Sequence, residues 1–474
     1  MTITSFSFAG YVLLVLALYY ALPRRPQNIL LLVASYAFYL TWSWWYALVL
    51  AILTLANFAL TGRIRAGGTP RRAVLWAGVG INLAALAVFK YEDFFVPDLL
   101  ARLDTWGVES GAGGLDILLP VGMSFYIVAV ISYLIDVYRK QVAPATDLVD
   151  FALYMAYFPK LLSGPIERAR DFLPRLAAPR VVDNDQLARS FTLIVLGAVR
   201  KLVLADTLTL MLPRGVFGNP DQFGAPQLIG YLLIYALALY NDFAGYTNIV
   251  RGVSGLFGIE LAANFATPYF SRNLTEFWNR WHITLSHWLR DYIYFPTSRA
   301  LLRRNPSRTN VPNLLLPPML TMLASGLWHG PGWSMLLWGA LHGVYLVGER
   351  LLALWRPAGP PQHQPRWRQT LAMLFVVTLV VLAWVPFRAP DVPRALDYWQ
   401  GMLDFSDLRR PTVRVFVVIL PALWLDWVQY RRGDELVFLR WPRLAQAALL
   451  ALAILALFLT SQVDTGAPFV YQGF

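Results

Sequence analysis

The sequence predicts an all-α polytopic membrane protein of about 12 spans, and three observations predict it. First, several long stretches are almost free of charge, among them residues 371–386, 445–460 and 227–240. Second, the 474 residues are 57% hydrophobic and only 14% charged. Soluble domains carry roughly 25% charged residues, so this chain lacks the polar groups to cover a globular surface. Third, aromatic residues gather where spans would end, as at Tyr39, Trp42, Trp44, Trp45 and Tyr46, the level of the bilayer that amphipathic rings prefer. Backbone in hydrocarbon must satisfy its own hydrogen bonds, and these stretches do not alternate apolar with polar as barrel strands do. They are therefore helices.

Taken in order, a first span covers roughly residues 6–22 and is followed by Arg24 and Arg25. Residues 1–10 show no basic n-region or small-residue cleavage site, so no cleaved signal peptide is expected. A hairpin of spans near 28–41 and 43–61 leads to Arg63, Arg65, Arg71 and Arg72, and a span near 73–90 opens onto an expected loop carrying Glu92, Asp93, Asp98, Asp104, Glu109 and Asp116. The span 117–138 returns to Arg139 and Lys140. Later spans near 313–329, 332–350, 370–386, 413–430 and 444–462 alternate between three basic clusters: Arg299, Arg303, Arg304 and Arg308; Arg350, Arg356, Arg366 and Arg368; Arg431, Arg432, Arg440 and Arg443. Basic loops favour the cytoplasmic side, which places both termini and the acidic loop outside. The same distribution accounts for the net charge of +12 without nucleic acid, because the basic residues sit in short loops between spans.

Residues 150–180 and 262–300 mix apolar runs with Pro, Gly and charge. They are too polar for lipid-facing spans and too apolar for solvent loops. Irregular backbone at membrane depth persists only when it is buried in protein or lines a wet cavity, so re-entrant or interfacial elements are expected there. No internal repeat is visible, and the Pro/Gln-rich 357–366 is a short linker. The expectation is a single membrane-embedded domain over residues 1–474.

Chemistry in such a chain falls to ionisable residues held among apolar ones. There is no cysteine, which removes disulfides, thiolate metal sites and a cysteine nucleophile. Of the five histidines, His363 lies in the linker. His329 ends an apolar span that breaks at Gly330-Pro331-Gly332, where glycines leave room for another molecule to approach. His342 lies mid-span between Ala340-Leu341 and Gly343, and a hydrogen bond to a neighbouring helix is its expected role. His282 and His287 stand five residues apart in a stretch dense in Trp, Arg and Asn. On a helix that spacing is about 140° of rotation, so the two do not share a face as metal ligands would, and no metal site is expected. A neutral imidazole can take a proton from a hydroxyl as its oxygen attacks an acyl carbonyl. Ser286 and Ser325 are present, but no G-x-S-x-G elbow, P-loop, G-x-G-x-x-G or H-E-x-x-H motif occurs. Direct acyl transfer with histidine as base is the simplest chemistry these residues support.

Several stretches carry a family likeness. Leu327-Trp328-His329-Gly330 follows Trp278-x-x-Trp281-His282-Ile283-x-Leu285-Ser286-x-Trp288-Leu289-Arg290-Asp291-Tyr292. Upstream stand Met123-Ser-Phe-Tyr126 with Ser132-Tyr-Leu-Ile-Asp136-Val-Tyr-Arg139, and Phe158-Pro-Lys-Leu-Leu-Ser163-Gly-Pro-Ile-Glu167-Arg168 with Phe172-Leu-Pro. Asp242-Phe-Ala-Gly245-Tyr246 leads to Asn264-Phe-x-x-Pro268-Tyr, and Ala467-Pro-Phe-Val-Tyr-Gln-Gly-Phe474 closes the chain. In this order the motifs resemble the membrane-bound O-acyltransferase family, nearest its bacterial branch of alginate O-acetylases and teichoic acid D-alanyl transferases. The likeness is clearest over residues 120–350. One departure is Tyr240-Asn241-Asp242-Phe243, where alginate acetylases commonly read Tyr-Phe-Asp-Phe.

The resemblance implies a ring of helices around a thin membrane centre, with a cytoplasmic tunnel for the acyl thioester and a funnel on the far side. It makes His329 the catalytic residue and His282 its upstream partner, while His287 matches no motif of the family. Trp328, Asp242, Asn241, Ser286, Trp281 and Glu167 become candidates for substrate binding. No bound cofactor is expected. Acetyl-CoA or an acyl carrier protein thioester would be the donor, and a hydroxyl of an exported polysaccharide the acceptor. A periplasmic or extracellular acetyltransferase partner, membrane lipid as surroundings and location in the cell inner membrane follow. D-alanyl transfer to teichoic acid is the alternative acyl chemistry. A transporter or a scaffold of an envelope-modifying complex is the alternative class, and the lack of repeated halves speaks against a transporter.

Overall fold

The computed structural model describes residues 1–66, 71–105, 119–180, 182–307, 309–354, 365–409 and 415–461. The positions Glu109, Asp116, Arg308 and Arg356, most of the linker with His363, and the closing 467–474 lie outside them. Among the described residues every regular element is a helix. The protein is an all-α membrane protein. Its helices form two compact units, Met1–Ile194 with Tyr246–Ala262, and Val195–Gly245 with Ala263–Phe474.

The first unit holds α1 (Phe6–Tyr20), α2 (Arg24–Leu40), α3 (Trp44–Ala66), α4 (Arg71–Thr105), α5 (Met123–Tyr138), α6 (Leu148–Ala156), α7 (Phe158–Leu161), α8 (Ala169–Ala177) and most of α9 (Asn184–Ala198). The hairpin expected near 28–61 is α2 and α3. The loop expected after residue 90 is corrected: α4 continues through Glu92, Asp93, Asp98 and Asp104 to Thr105. Apolar residues interleave with those acids at helical spacing (Phe94, Phe95, Leu99, Leu100, Leu103), and such a pattern continues a helix beyond the point where mean hydropathy drops.

The mixed stretch 150–180 is broken as expected. α6 stops at Tyr157, whose backbone leaves the helical region, α7 is a single turn, and residues 162–168 are irregular before α8 begins. Residues 151–169 are buried throughout. Side chains supply hydrogen bonds that a helix would have made internally: Tyr154 Oη donates to the carbonyls of Ala129 and Glu167, and the Ser163 N–H donates to Tyr246 Oη.

The second unit contains α10 (Asp206–Leu210), α11 (Ala225–Leu256) as far as Gly245, α12 (Leu274–Trp278), α13 (Ile283–Leu289), α14 (Phe295–Arg304), α15 (Val311–His329), α16 (Trp333–Leu354), α17 (Arg366–Arg388), α18 (Val392–Gly401), α19 (Val415–Arg432) and α20 (Arg443–Ser461). Five described helices are long and apolar enough to cross a bilayer unaided: Trp44–Ile64, Arg71–Tyr91, Ala225–Leu256, Arg366–Arg388 and Arg443–Thr460. α1 and α5 are apolar but shorter. Other expected spans are helices that carry breaks or polar groups, such as Pro317 and Pro318 in α15, and Asp426 and Gln429 in α19. On α20, Leu452, Ile454 and Phe458 are all more than half exposed. A row of apolar side chains on an outer helix has lipid, not water, as its matching solvent.

α15 and α16 form the tightest pair. A Cβ on Gly326 would stand 2.3 Å from the Met335 carbonyl oxygen, and one on Gly339 would stand 2.4 Å from that of Met322. Only glycine permits such an approach, the small-residue packing that joins helices where hydrophobic driving force is weak. The turn between them is Gly330-Pro331-Gly332, with the Gly330 N–H donating to the Gly326 carbonyl and Met335 N–H to Gly332.

Candidate active site

His329 is the last residue of α15 and is buried. Three rings meet its imidazole edge-on: Trp328 beside it at 4.9 Å, Trp338 from α16 at 5.0 Å and Phe387 from α17 at 5.2 Å between ring centroids. The helix break that follows comes from a residue pattern legible in the sequence. Two of the three rings come from other helices.

His282 reaches the same neighbourhood by a different route. It caps α13 with φ +41° and ψ +54°, the left-handed region that non-glycine residues rarely occupy. Residues 264–267 lie alongside and hold it there. The Asn264 carbonyl accepts from the Ile283 N–H at 2.9 Å, Asn264 Oδ1 accepts from Thr284 Oγ1 at 2.6 Å, and the Ala266 N–H donates to the Arg280 carbonyl at 3.0 Å. Strain of this kind persists only where its surroundings over-determine it, and it clusters at functional sites. The ring of His282 meets Phe243 edge-on at 4.8 Å and Trp328 at 5.8 Å. Trp328 is thus a wall common to both histidines.

The remaining candidates divide. Trp281 is buried among Phe277, Tyr240, Phe265 and Trp384. Ser286 Oγ donates to the Trp281 carbonyl at 2.9 Å. Asn241 Oδ1 accepts from Arg200 at 2.8 Å, and Asp242 pairs with Lys201 at 2.7 Å. All of these belong to the second unit, with the two histidines. Glu167 belongs to the first. There its carboxylate accepts from the Ala262 N–H at 2.6 Å and from Arg175 at 3.2 Å, beside a cavity of about 10 Å³ that Lys160 also lines, room for about one water.

Arg200 and Lys201 were not among the residues expected from the sequence. They stand on a π-helical stretch, Val199–Ala205, that continues α9. Arg200 is fully buried, donates to Asp426, Gln429 and Asn241, and lies 5.2 Å from the centre of the Tyr240 ring. Lys201 bridges Asp206 and Asp242 at 2.7 Å each. Gly245 explains how the π-helix can sit so close to α11: its Cβ would stand 2.6 Å from the Lys201 nitrogen. A charged pair inside an apolar segment is a functional candidate by default, and Val199-Arg200-Lys201-Leu202 offered that signal. Among the described residues no group of three or more His, Asp or Glu is placed to hold a metal ion.

The model of the membrane-bound O-acyltransferase family matches residues 139–386, which is more than half of the chain. The chain belongs to the membrane-bound O-acyltransferase family. The acyltransferase is 34% identical, over 97% of both chains, to a protein of Pseudomonas putida described as a "probable alginate O-acetylase". It is 38% identical to a protein of the same description from Azotobacter vinelandii, over 83% of this chain and 76% of that one. A peptidoglycan O-acetyltransferase of Helicobacter pylori matches at 29% identity over 84% of this chain and 77% of its own length. The matched region contains both histidines, the Arg200–Lys201 pair and the α15–α16 hairpin.

Proposed function

We propose that the acyltransferase moves an acetyl group from a thioester donor, acetyl-CoA or an acyl carrier protein, to hydroxyls of an exported polysaccharide. His329 stands at the reacting centre, His282 assists, and the cell inner membrane is the setting. The observation that carries this reading is the placement of two buried histidines against one tryptophan, Trp328, in a chain similar to O-acetylating proteins along most of its length. The glycan oxygen attacks the thioester carbonyl, and a C–O bond forms as the C–S bond breaks. The hydroxyl proton passes to His329 and then to the departing thiolate. A positioned base of this kind contributes about 10²–10⁴-fold, and alignment of the two substrates supplies much of the remainder. Transfer is direct, or it passes through a periplasmic acetyltransferase partner that completes the acceptor step.

The test is the purified His329→Ala variant with labelled acetyl-CoA, and transfer is expected to fall about 10²–10⁴-fold. Wild-type turnover in that variant would end the proposal. Acetate on the exported polymer of cells lacking this chain is expected to disappear, and unchanged acetate would turn the reading toward a different acceptor.

A further inference from the structure

His342 does not do what its position in the sequence led us to expect. It lies on α16 and is fully buried, yet neither of its ring nitrogens hydrogen-bonds to any group among the described residues. The expected hydrogen bond to a neighbouring helix is replaced by a box of rings. Trp278 and Trp338 meet it edge-on at 5.0 Å each, Tyr345 at 5.8 Å, and the Phe277 ring runs parallel at 6.4 Å. Two of these rings, Trp338 and Tyr345, lie on α16 itself, and Phe277 and Trp278 come from α12.

The box holds more unmet polar groups than the imidazole. The indole N–H of Trp278 and that of Trp338 are also buried and lack hydrogen-bond partners among the described residues. The two indoles are themselves 5.9 Å apart. A neutral imidazole carries one N–H donor and one acceptor nitrogen, so these three rings together bear three donors and one acceptor. Buried groups of this kind destabilise a fold unless something satisfies them, and each such group in a native protein calls for an explanation. Phenylalanine would fill the box with a ring and remove the imidazole's polar groups, but it would leave the two indole N–H groups unmet. Trp338 is also the ring that meets His329 edge-on at 5.0 Å, so one indole touches both histidines.

We propose that His342 is a positioning residue for acyl transfer, gathering with the Trp278 and Trp338 N–H groups an internal water that fixes the Trp338 ring against His329. Water is the small molecule that accepts from several donors while giving a proton to the acceptor nitrogen, and buried waters make about three such bonds. The inference rests on the reading of His329 as the residue at the reacting centre.

The experiment compares purified His342→Phe, His342→Gln and His329→Ala with the natural protein, using labelled acetyl-CoA and unacetylated alginate as probes. His342→Phe is expected to stay folded while kcat falls about tenfold or more and KM for acetyl-CoA stays within about twofold. His342→Gln keeps a donor and an acceptor and is expected to recover most of the lost kcat. A Phe variant with unchanged kcat overturns the proposal, as does a Gln variant no more active than the Phe variant. Retained activity in His329→Ala would remove the underlying reading, whereas loss there with full activity in His342→Phe removes only this inference.

Discussion

His329 and His282 share one tryptophan but are held by opposite kinds of structure. His329 ends a regular helix whose position is set by glycine-to-backbone contact with its neighbour, at Gly326 and Gly339. His282 sits on a left-handed residue between two short helices, fastened by Asn264 and the residues after it. The first arrangement depends on how closely two long helices approach. The second depends on a few local hydrogen bonds that pin an unfavourable backbone. The two should therefore fail differently, one through assembly of the hairpin and the other through local geometry.

The largest expected effect is on the hairpin. Gly339→Leu places a side chain where the Met322 carbonyl already stands. The helices must separate, so little folded protein is expected by detergent size-exclusion chromatography, and none of it active. A monodisperse, active Gly339→Leu protein would show that close approach does not set the position of His329.

Next comes the buried charge cluster around Lys201. Lys201→Met leaves Asp206 and Asp242 without the cation between them, and removing one partner of a buried ion pair costs about 3–5 kcal/mol. A clear fall in melting temperature is expected, with partial restoration in the Lys201→Met, Asp242→Asn double variant. If the double variant melts no higher than the single one, the pair is not the source of the loss.

Smaller again is Asn264→Ala, which removes the acceptor of the Thr284 hydroxyl and costs about 1–3 kcal/mol. Because the loss falls on Thr284, two residues after His282, acyl transfer is expected to drop more than the melting temperature suggests. Equal, proportionate losses would make Asn264 a residue of the fold alone.

The finest comparison is His282→Gly against His282→Ala. Both lack the imidazole, and both are expected to lose activity alike. Glycine accepts the positive φ without strain while alanine does not, a difference of about 1–2 kcal/mol. The Gly variant is expected to melt higher by calorimetry. The reverse order would mean that the left-handed turn relaxes when the histidine is removed.

Much of this protein was legible in its residues. Charge-free stretches of sufficient length cannot be anything but helices in lipid, and the Gly330-Pro331-Gly332 break fixes where α15 ends whatever packs around it. His329 could be singled out because it ends an apolar span at a glycine-flanked break, whereas His282 was picked out by the resemblance of its motif to the family. The stretches at 150–180 and 262–300 read as re-entrant or interfacial elements because they mix apolar runs with Pro, Gly and charge.

Tertiary structure decided the rest. One exception is α4, whose continuation through its acids to Thr105 was written in their helical spacing and hidden only by the fall in hydropathy. Trp338 and Phe387 come to His329 from separate helices, and no local pattern encodes which rings will meet. The partners of Arg200 lie at Asn241, Asp426 and Gln429, up to 229 residues away in sequence. His342 shows the limit most plainly: its residue type predicts a hydrogen bond, but the chemistry of the facing side chains decides whether one exists. Local sequence fixes backbone and polarity, whereas the identity of a buried group's neighbours is a property of packing.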